Sequence, residues 1–299
     1  MTSEIMRQER QMPGSALVGK PSGGGAIDTA VKGLYHQHVI IRFDHVVIDS
    51  DALDCEFDIP FDDNTEANEA EIVLYNLSYN TTNQIRHGGN VTVEAGYGND
   101  MGILFTGKVS DKKIQNSDTD RVITIKAIDG AGLSDCEAEV EYCEGNTAQA
   151  ILYDLCLRLG FPIAAWKPVR DYTYDRTVHV DGSIMDAVEK YAGVCGVSAY
   201  VCRGMLYVQA LSASNAGSFD LSVETGLLSA EEYEKTEKHE DFEDTVRGWE
   251  LEMLLNHRIQ TGTQIHLTSK RANGIYYVRQ GTHSYDGNDM TTKVTAVER

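Results

Sequence analysis

Hydrophobic positions along this chain follow a period of two, then a helical period, then a period of two again. From Val39 the residues are apolar and β-branched, VIIRF over 39–43 and VVI over 46–48, a composition that suits a pleated, half-buried surface. Leu53, Cys55, Phe57, Ile59 and Phe61 then alternate with Asp54, Glu56 and Asp58. That alternation predicts a strand with its apolar side chains on a core face and its carboxylates on the other. Further strands are predicted at Ile72 to Tyr75, Val91 to Ala95, around Phe105-Thr106-Gly107, and at Val122 to Ile128. Gly-rich turns separate them, as expected for a small barrel or sandwich.

After Cys143 the spacing becomes helical. Ile151, Leu152, Leu155, Cys156 and Leu159 fall on one helix face, with Asn146 or Thr147 as the cap and Gly160 and Pro162 as the stop. A second helix is predicted from Asp181-Gly182-Ser183, carrying Ile184, Ala187, Val188, Tyr191 and Ala192 inward, and Gly193 and Gly196 end it. A hairpin follows, Val197 to Cys202 and Leu206 to Ala210 about the turn Arg203-Gly204. Two helices on a small sheet make an α+β unit. Strands return with Trp249, Leu251 and Met253 alternating with Glu250 and Glu252, then at Ile265 to Thr268, Tyr276 to Arg279 and Lys293 to Val297. Between them, Glu231 to Asp244 (EEYEKTEKHEDFED) is so dense in charge that it predicts an exposed loop.

The expected architecture is therefore mainly β with an α+β insert: two tube-like β-barrel modules flanking a small α+β domain. The expected boundaries are a flexible arm over 1–34, a first barrel over 35–138, the α+β domain over 139–215, and a second barrel over 216–299 that contains the acidic loop. The arm reads MPGS and KPSGGG with few large apolar groups, too little to offset the entropy of ordering it. A length of 299 residues accommodates two or three cores.

Charge narrows the function. A formal net charge of -20 repels phosphate at range, which argues against a role in gripping nucleic acid. No apolar run reaches the roughly 18 residues of a membrane span, and the first residues, MTSEIMRQERQMPGS, form no secretory signal. Six cysteines (Cys55, Cys136, Cys143, Cys156, Cys195 and Cys202) contain no CxxC spacing. They read as buried, reduced thiols.

Candidate chemistry is thin, and neither catalytic nor cofactor-binding residues are expected. Glu66, Glu69 and Glu71 invite a glycosidase reading, which needs two carboxylates at a set separation; closeness in an acidic chain does not supply it. His36-Gln37-His38 places two imidazoles on one strand face with no third ligand nearby in sequence. Asp49-Ser50-Asp51 opens like a calcium loop but lacks the glycine and closing glutamate. No metal site is expected from either, and no phosphate-binding loop occurs.

The ordered set of motifs carries more. Asn76-Leu77-Ser78, Val91-Thr92-Val93, Ala95-Gly96-Tyr97 and Phe105-Thr106-Gly107 in the first module resemble the gp27-like baseplate hub family of contractile phage tails, tailocins and defective prophage particles. Val180-Asp181-Gly182 and Ala192 to Val197 are similar to that family's middle domain. Asn256-His257-Arg258-Ile259, Tyr277-Val278-Arg279, His283 and Thr292 resemble its closing barrel. The similarity spans residues 35 to 299. It implies a structural role without catalysis: a homotrimer at the distal end of the tail. Two tube-like units per chain would present six to a hexameric tail tube above, with the threefold spike below. Tape-measure and other baseplate proteins would be further partners, within a virion or tailocin assembled in a bacterial cytoplasm. The resemblance implies no cofactor, no specific nucleic-acid binding and no membrane insertion. Its larger members carry a lytic or spike domain beyond the last barrel; the resemblance implies that piercing and wall digestion would sit on other chains. A tail-tube or distal-tail protein and a tail-associated peptidoglycan hydrolase are the alternatives. In a hub, Asp54, Glu56, Asp58, Glu250 and Glu252 are candidates to line the central channel, with Glu137, Glu139 and Glu141 repeating the pattern at the module boundary.

Overall fold

The computed structural model describes residues 36–64, 67–116, 120–129, 136–214, 216–238 and 243–298. The arm expected over 1–34, and Glu66, lie outside the described residues. The first stretch contains β1 (Gln37–Phe43), β2 (Val46–Asp49), β3 (Cys55–Phe61), β4 (Glu69–Tyr75), α1 (Tyr79–Gln84), β5 (Asn90–Tyr97), β6 (Asp100–Asn116) and β7 (Arg121–Ile128). In β3 the predicted alternation holds: Cys55, Phe57, Ile59 and Phe61 are buried, and Asp58 is exposed. The turn after Asn76 is the one-and-a-half-turn helix α1, whose cap Ser78 accepts a hydrogen bond from the Thr81 N–H.

The middle stretch holds β8 (Glu137–Tyr142), α2 (Ala148–Leu159), β9 (Ile163–Trp166), β10 (Val178–Ser183), α3 (Ile184–Val194), β11 (Ser198–Cys202) and β12 (Met205–Gln209). Thr147 caps α2 and Gly160 ends it at φ 75, in the left-handed region that favours glycine. Ser183 caps α3 through the Asp186 N–H. Both helices bury the stripes read from the sequence and pack on each other. They cover a two-stranded sheet, β8–β10, and a three-stranded one, β9–β12–β11. No helix among the described residues is long and apolar enough to cross a membrane.

The final stretch holds β13 (Ser218–Leu221), β14 (Leu227–Lys238), β15 (Glu243–Leu254), β16 (Gln264–Thr268), β17 (Asn273–Tyr285) and β18 (Met290–Val297). Its strands do not form a separate sheet. The C-terminal half of β17 pairs with β3, Gly281 opposite Phe61 and Tyr285 opposite Phe57. One sheet of 13 strands therefore runs β14-β15-β18-β17-β3-β4-β7-β6-β5-β1-β2, with β16 and β13 branching from the other half of β17. The expected mainly β architecture with a small mixed insert is present. No barrel closes among the described strands, and β2 and β14 stand at open edges. The buried apolar clusters interleave too: Leu255 and Met290 join the first, and Phe61 joins the last.

The loop expected over Glu231 to Asp244 is instead mostly strand. Residues up to Lys238 belong to β14 and those from Glu243 to β15, paired Glu231 with Glu250 through Lys238 with Glu243. β15 pairs with β18 only from Gly248 onward, so the outer part of this hairpin is a two-stranded ribbon with no third strand beside it. Glu234, Lys235, Thr236, Thr245 and Arg247 in it are exposed, so no apolar alternation betrays the ribbon, and ladder hydrogen bonds hold it together.

Candidate functional site

Antiparallel partners point to the same side of a sheet, so register decides where the acidic candidates lie. Asp58 is opposite Ser284 on one side and Glu71 on the other. Glu250 is opposite Glu231 and Thr295, and Glu252 is opposite Ser229 and Lys293. Thr282 pairs with both Lys293 and Pro60. Glu56, Asp58, Glu250 and Glu252, read from two distant segments, thus share the outward face of one continuous sheet. Asp54 is exposed but precedes β3 rather than belonging to it. Glu137, Glu139 and Glu141 are exposed on β8, which belongs to the insert's own small sheet.

Part of this face is already neutralised. Lys293 Nζ lies 3.3 Å from Glu252, and Lys126 Nζ lies 2.5 Å from Glu69. Asp58 accepts from the Ser284 hydroxyl at 2.8 Å, and Glu56 from the Tyr75 hydroxyl at 2.7 Å. Glu69 and Glu71 do share a strand face, with Glu69 held by its lysine. A groove of about 490 Å³ crosses the face between Glu231, Glu250 and Glu252 on one side and Asp62 and Thr282 on the other. Its lining is largely polar, with Asp62, Ser229, Glu231, Glu250, Glu252 and Lys293 facing the groove.

Behind this face the parts of the molecule are fastened together. Tyr97, at the end of β5, donates its hydroxyl hydrogen to the Met290 carbonyl at 3.0 Å. Asp100, at the tip of the β5–β6 hairpin, receives both guanidinium arms of Arg258, at 2.9 and 2.5 Å, and lies 3.1 Å from His257 Nε2. The Arg258 hydrogen bonds hold its carboxyl down to about 2, while burial lowers His257. Arg203, in the β11–β12 turn, donates to the His257 carbonyl at 2.7 Å. His283 is wholly buried between Thr292, the Ile259 carbonyl and the ring of Phe61. The loop 255–259 is therefore the point where all three stretches of chain meet.

Two motifs that the sequence spacing leaves apart come together at the sheet edge. His38 Nε2 lies 2.9 Å from Asp49 Oδ1, and His36 Nε2 lies 3.7 Å from Asp51 Oδ2. Cys55, Cys156, Cys195 and Cys202 are buried thiols, Cys143 is an exposed one, and Cys136 is half-buried. Burial pushes the Cys156 thiol up to about 12, so it packs and does not attack.

No protein-family model matches the sequence, and no curated protein matches it. Solved structures do. The 43 kDa tail protein of prophage MuSo2 from Shewanella oneidensis superposes with a TM-score of 0.65 at 11% identity, over 88% of this chain and 98% of that one. A tail protein from Neisseria meningitidis MC58 gives 0.63 at 13% identity, over 88% and 97%. The chain has the fold of phage tail proteins. A third match, at 0.59 and 9% identity over 87% of this chain and 76% of the other, is an E. coli type VI secretion component. That protein is described as structurally similar to the T4 tail proteins gp27 and gp5, in agreement with the hub-like resemblance read from the sequence.

Within this tail fold the motif residues have physical tasks. Asn76 adopts φ 55 and its side chain bridges Asp120 and the Arg121 N–H. A Cβ on Gly96 would stand 2.0 Å from the Asp100 carbonyl oxygen, so the tight hairpin that presents Asp100 needs glycine there. Phe105 is buried and its ring lies over Gly107, where a Cβ would meet it at 2.6 Å. Gly182 sits at φ 107 just before α3. Tyr277 pairs with Gln264 and Val297 in β17 and is half-buried, its neighbour Tyr276 filling the core. Tyr97 and His283 belong to the fastening described above. Sequence reasoning missed Asp100 and Arg203, because their partners lie far away along the chain.

Proposed function

We propose that this chain is the structural hub of a contractile phage tail or tailocin, acting as a trimer that joins the hexameric tail tube to the central spike. The observation that carries the reading is the single sheet passing through both β modules, whose main path among the described residues ends at the unpaired edges of β2 and β14. An edge strand presents unpaired N–H and C=O groups that another chain can satisfy. A protomer with one edge at β2 and the other at β14 associates head to tail, and such heterologous contacts close into a ring when the rotation allows. Three copies then display six β modules toward a sixfold tube while keeping threefold symmetry toward a spike. Similarity in fold to tail proteins over 88% of the chain supports the same role. On this reading the division into modules at 35–138, 139–215 and 216–299 reflects two ring-forming units and a clamp, the particle assembles in the host cytoplasm, and the protein turns over no substrate.

Mass photometry of the purified chain, alone and with its tail-tube and spike proteins, tests the proposal. A trimer, alone or once the partners are added, is expected. A hexamer alone identifies a tail-tube or distal-tail ring instead. A chain that stays monomeric with both partners overturns the hub reading.

A further inference from the structure

The two motifs that the tail reading leaves unused, His36-Gln37-His38 and Asp49-Ser50-Asp51, meet on the β1–β2 hairpin at the open edge of the sheet. Pairing sets Ile40 opposite Asp49 and continues past the end of β2. The Ser50 N–H donates to the Val39 carbonyl at 3.0 Å, and the Val39 N–H donates to the Ser50 hydroxyl at 2.9 Å. With residue 50 locked beside residue 39, Asp49 and Asp51 are carried alongside His38 and His36. One ligand atom each from His38, Asp49 and Asp51 falls within 4.8 Å of the others. His36 adds a second imidazole, its Nε2 3.7 Å from Asp51 Oδ2 and its ring 5.9 Å from that of His38.

We propose that His38, Asp49 and Asp51, with His36 as the fourth ligand, bind one divalent transition-metal ion, of which zinc fits best. Zinc takes imidazole nitrogen and carboxylate oxygen at about 2.0–2.2 Å in a tetrahedron, which sets its ligands roughly 3.4 Å apart. The separations of 2.9 and 3.7 Å bracket that value, so an ion enters with small side-chain rotations. Two carboxylates and two neutral imidazoles balance its double positive charge. Calcium and magnesium prefer six or more oxygen ligands and are poor matches for this donor set. The Asp51 N–H donates to Asp49 Oδ1 at 2.9 Å, the kind of outer contact that orients a ligating carboxylate. His36 itself is held at φ 64, an uncommon conformation for a residue with a side chain. The ion fastens the start of β1 to the segment after β2, at an edge where an adjoining copy would dock.

Full-length protein carrying Cys143→Ser, which removes the exposed thiol, is titrated with Zn²⁺ by calorimetry and with Co²⁺ by visible absorbance. One ion per chain is expected. His38→Ala and Asp49→Asn should each weaken binding at least about tenfold, the effect of losing even an outer contact. Asp51→Asn should act alike and, at an exposed position, should leave the circular dichroism spectrum unchanged. His45→Ala, in the turn of the same hairpin but outside the cluster, should bind as the parent does. Absence of binding by the parent, or equal affinity in the parent and the His38, Asp49 and Asp51 variants, overturns the site. So does a loss that His45→Ala reproduces, which would mark scattered surface histidines.

Discussion

Thr292 Oγ1 lies 2.8 Å from Nδ1 of His283, and the other ring nitrogen faces the Ile259 carbonyl at 3.1 Å. A carbonyl only accepts, so Nε2 carries the proton and Nδ1 accepts from the threonine hydroxyl. Thr292 Oγ1 in turn accepts the Asn256 N–H at 3.2 Å. A neutral histidine thus ties β17 and β18 to the 255–259 loop, with its ring 4.9 Å from that of Phe61 on β3.

Burial pushes His283 down from 6.5 to about 3, with the Arg203 charge adding to the effect. Between those values the unfolded chain binds a proton that the native ring refuses. Stability is therefore lost as pH falls through that window, by up to about 1.4 kcal/mol per pH unit. His283→Gln should cost about 1–3 kcal/mol at pH 7 by breaking the buried hydrogen bonds. It should also flatten the dependence between pH 7 and 4.5. Urea unfolding at both pH values, for parent and variant, measures the difference.

Gly96 and Gly182 should respond differently to alanine. At Gly96 the new Cβ meets backbone, 2.0 Å from the Asp100 carbonyl oxygen, so the hairpin must deform. A loss of about 3 kcal/mol or more is expected. At Gly182 nothing lies within 4 Å, and only the strain of φ 107 remains, worth about 1–2 kcal/mol. Denaturant midpoints should rank the two variants in that order.

Arg258→Ala leaves Asp100 without its bidentate partner. The Asp100 side chain is 57% exposed, so water replaces much of what is lost and the cost should be about 1 kcal/mol or less. The local effect should be larger than the global one. Amide exchange should quicken at 97–102 and 255–259, while the helices α2 and α3 keep their protection.

If the outward face lines the channel of a trimer, its carboxylates repel DNA over a screening length of about 8 Å. Asp58→Lys with Glu250→Lys, both exposed, should then slow genome delivery several-fold while particles assemble in normal numbers. Plaque efficiency against particle count gives the ratio. Unchanged delivery would place this face on the outside of the ring.

Local patterns carried a large part of the structure. The alternation from Cys55 to Phe61, the stripe from Ile151 to Leu159 and the caps Thr147 and Ser183 each depend on neighbours within a few residues. Those neighbours are printed in the sequence. The charged run from Glu231 reads as a loop because its order comes from a partner strand. The acidic faces at Asp58 and Glu250 are each legible in the sequence, but nothing local says that they join. Arg258 stands in a family-like motif, but nothing in the sequence pairs it with Asp100, 158 positions away.

The sequence by itself determined where strands and helices form and that the chain is mainly β with a mixed insert, because side-chain period and capping act at short range. Only the tertiary structure decided that β3 pairs with β17, so that two β modules share one sheet and one polar face. Hydrogen bonds between strands are made by backbone groups that every residue carries. The choice of partner is therefore settled by packing of distant side chains such as Phe61, His283 and Met290, and not by any local pattern.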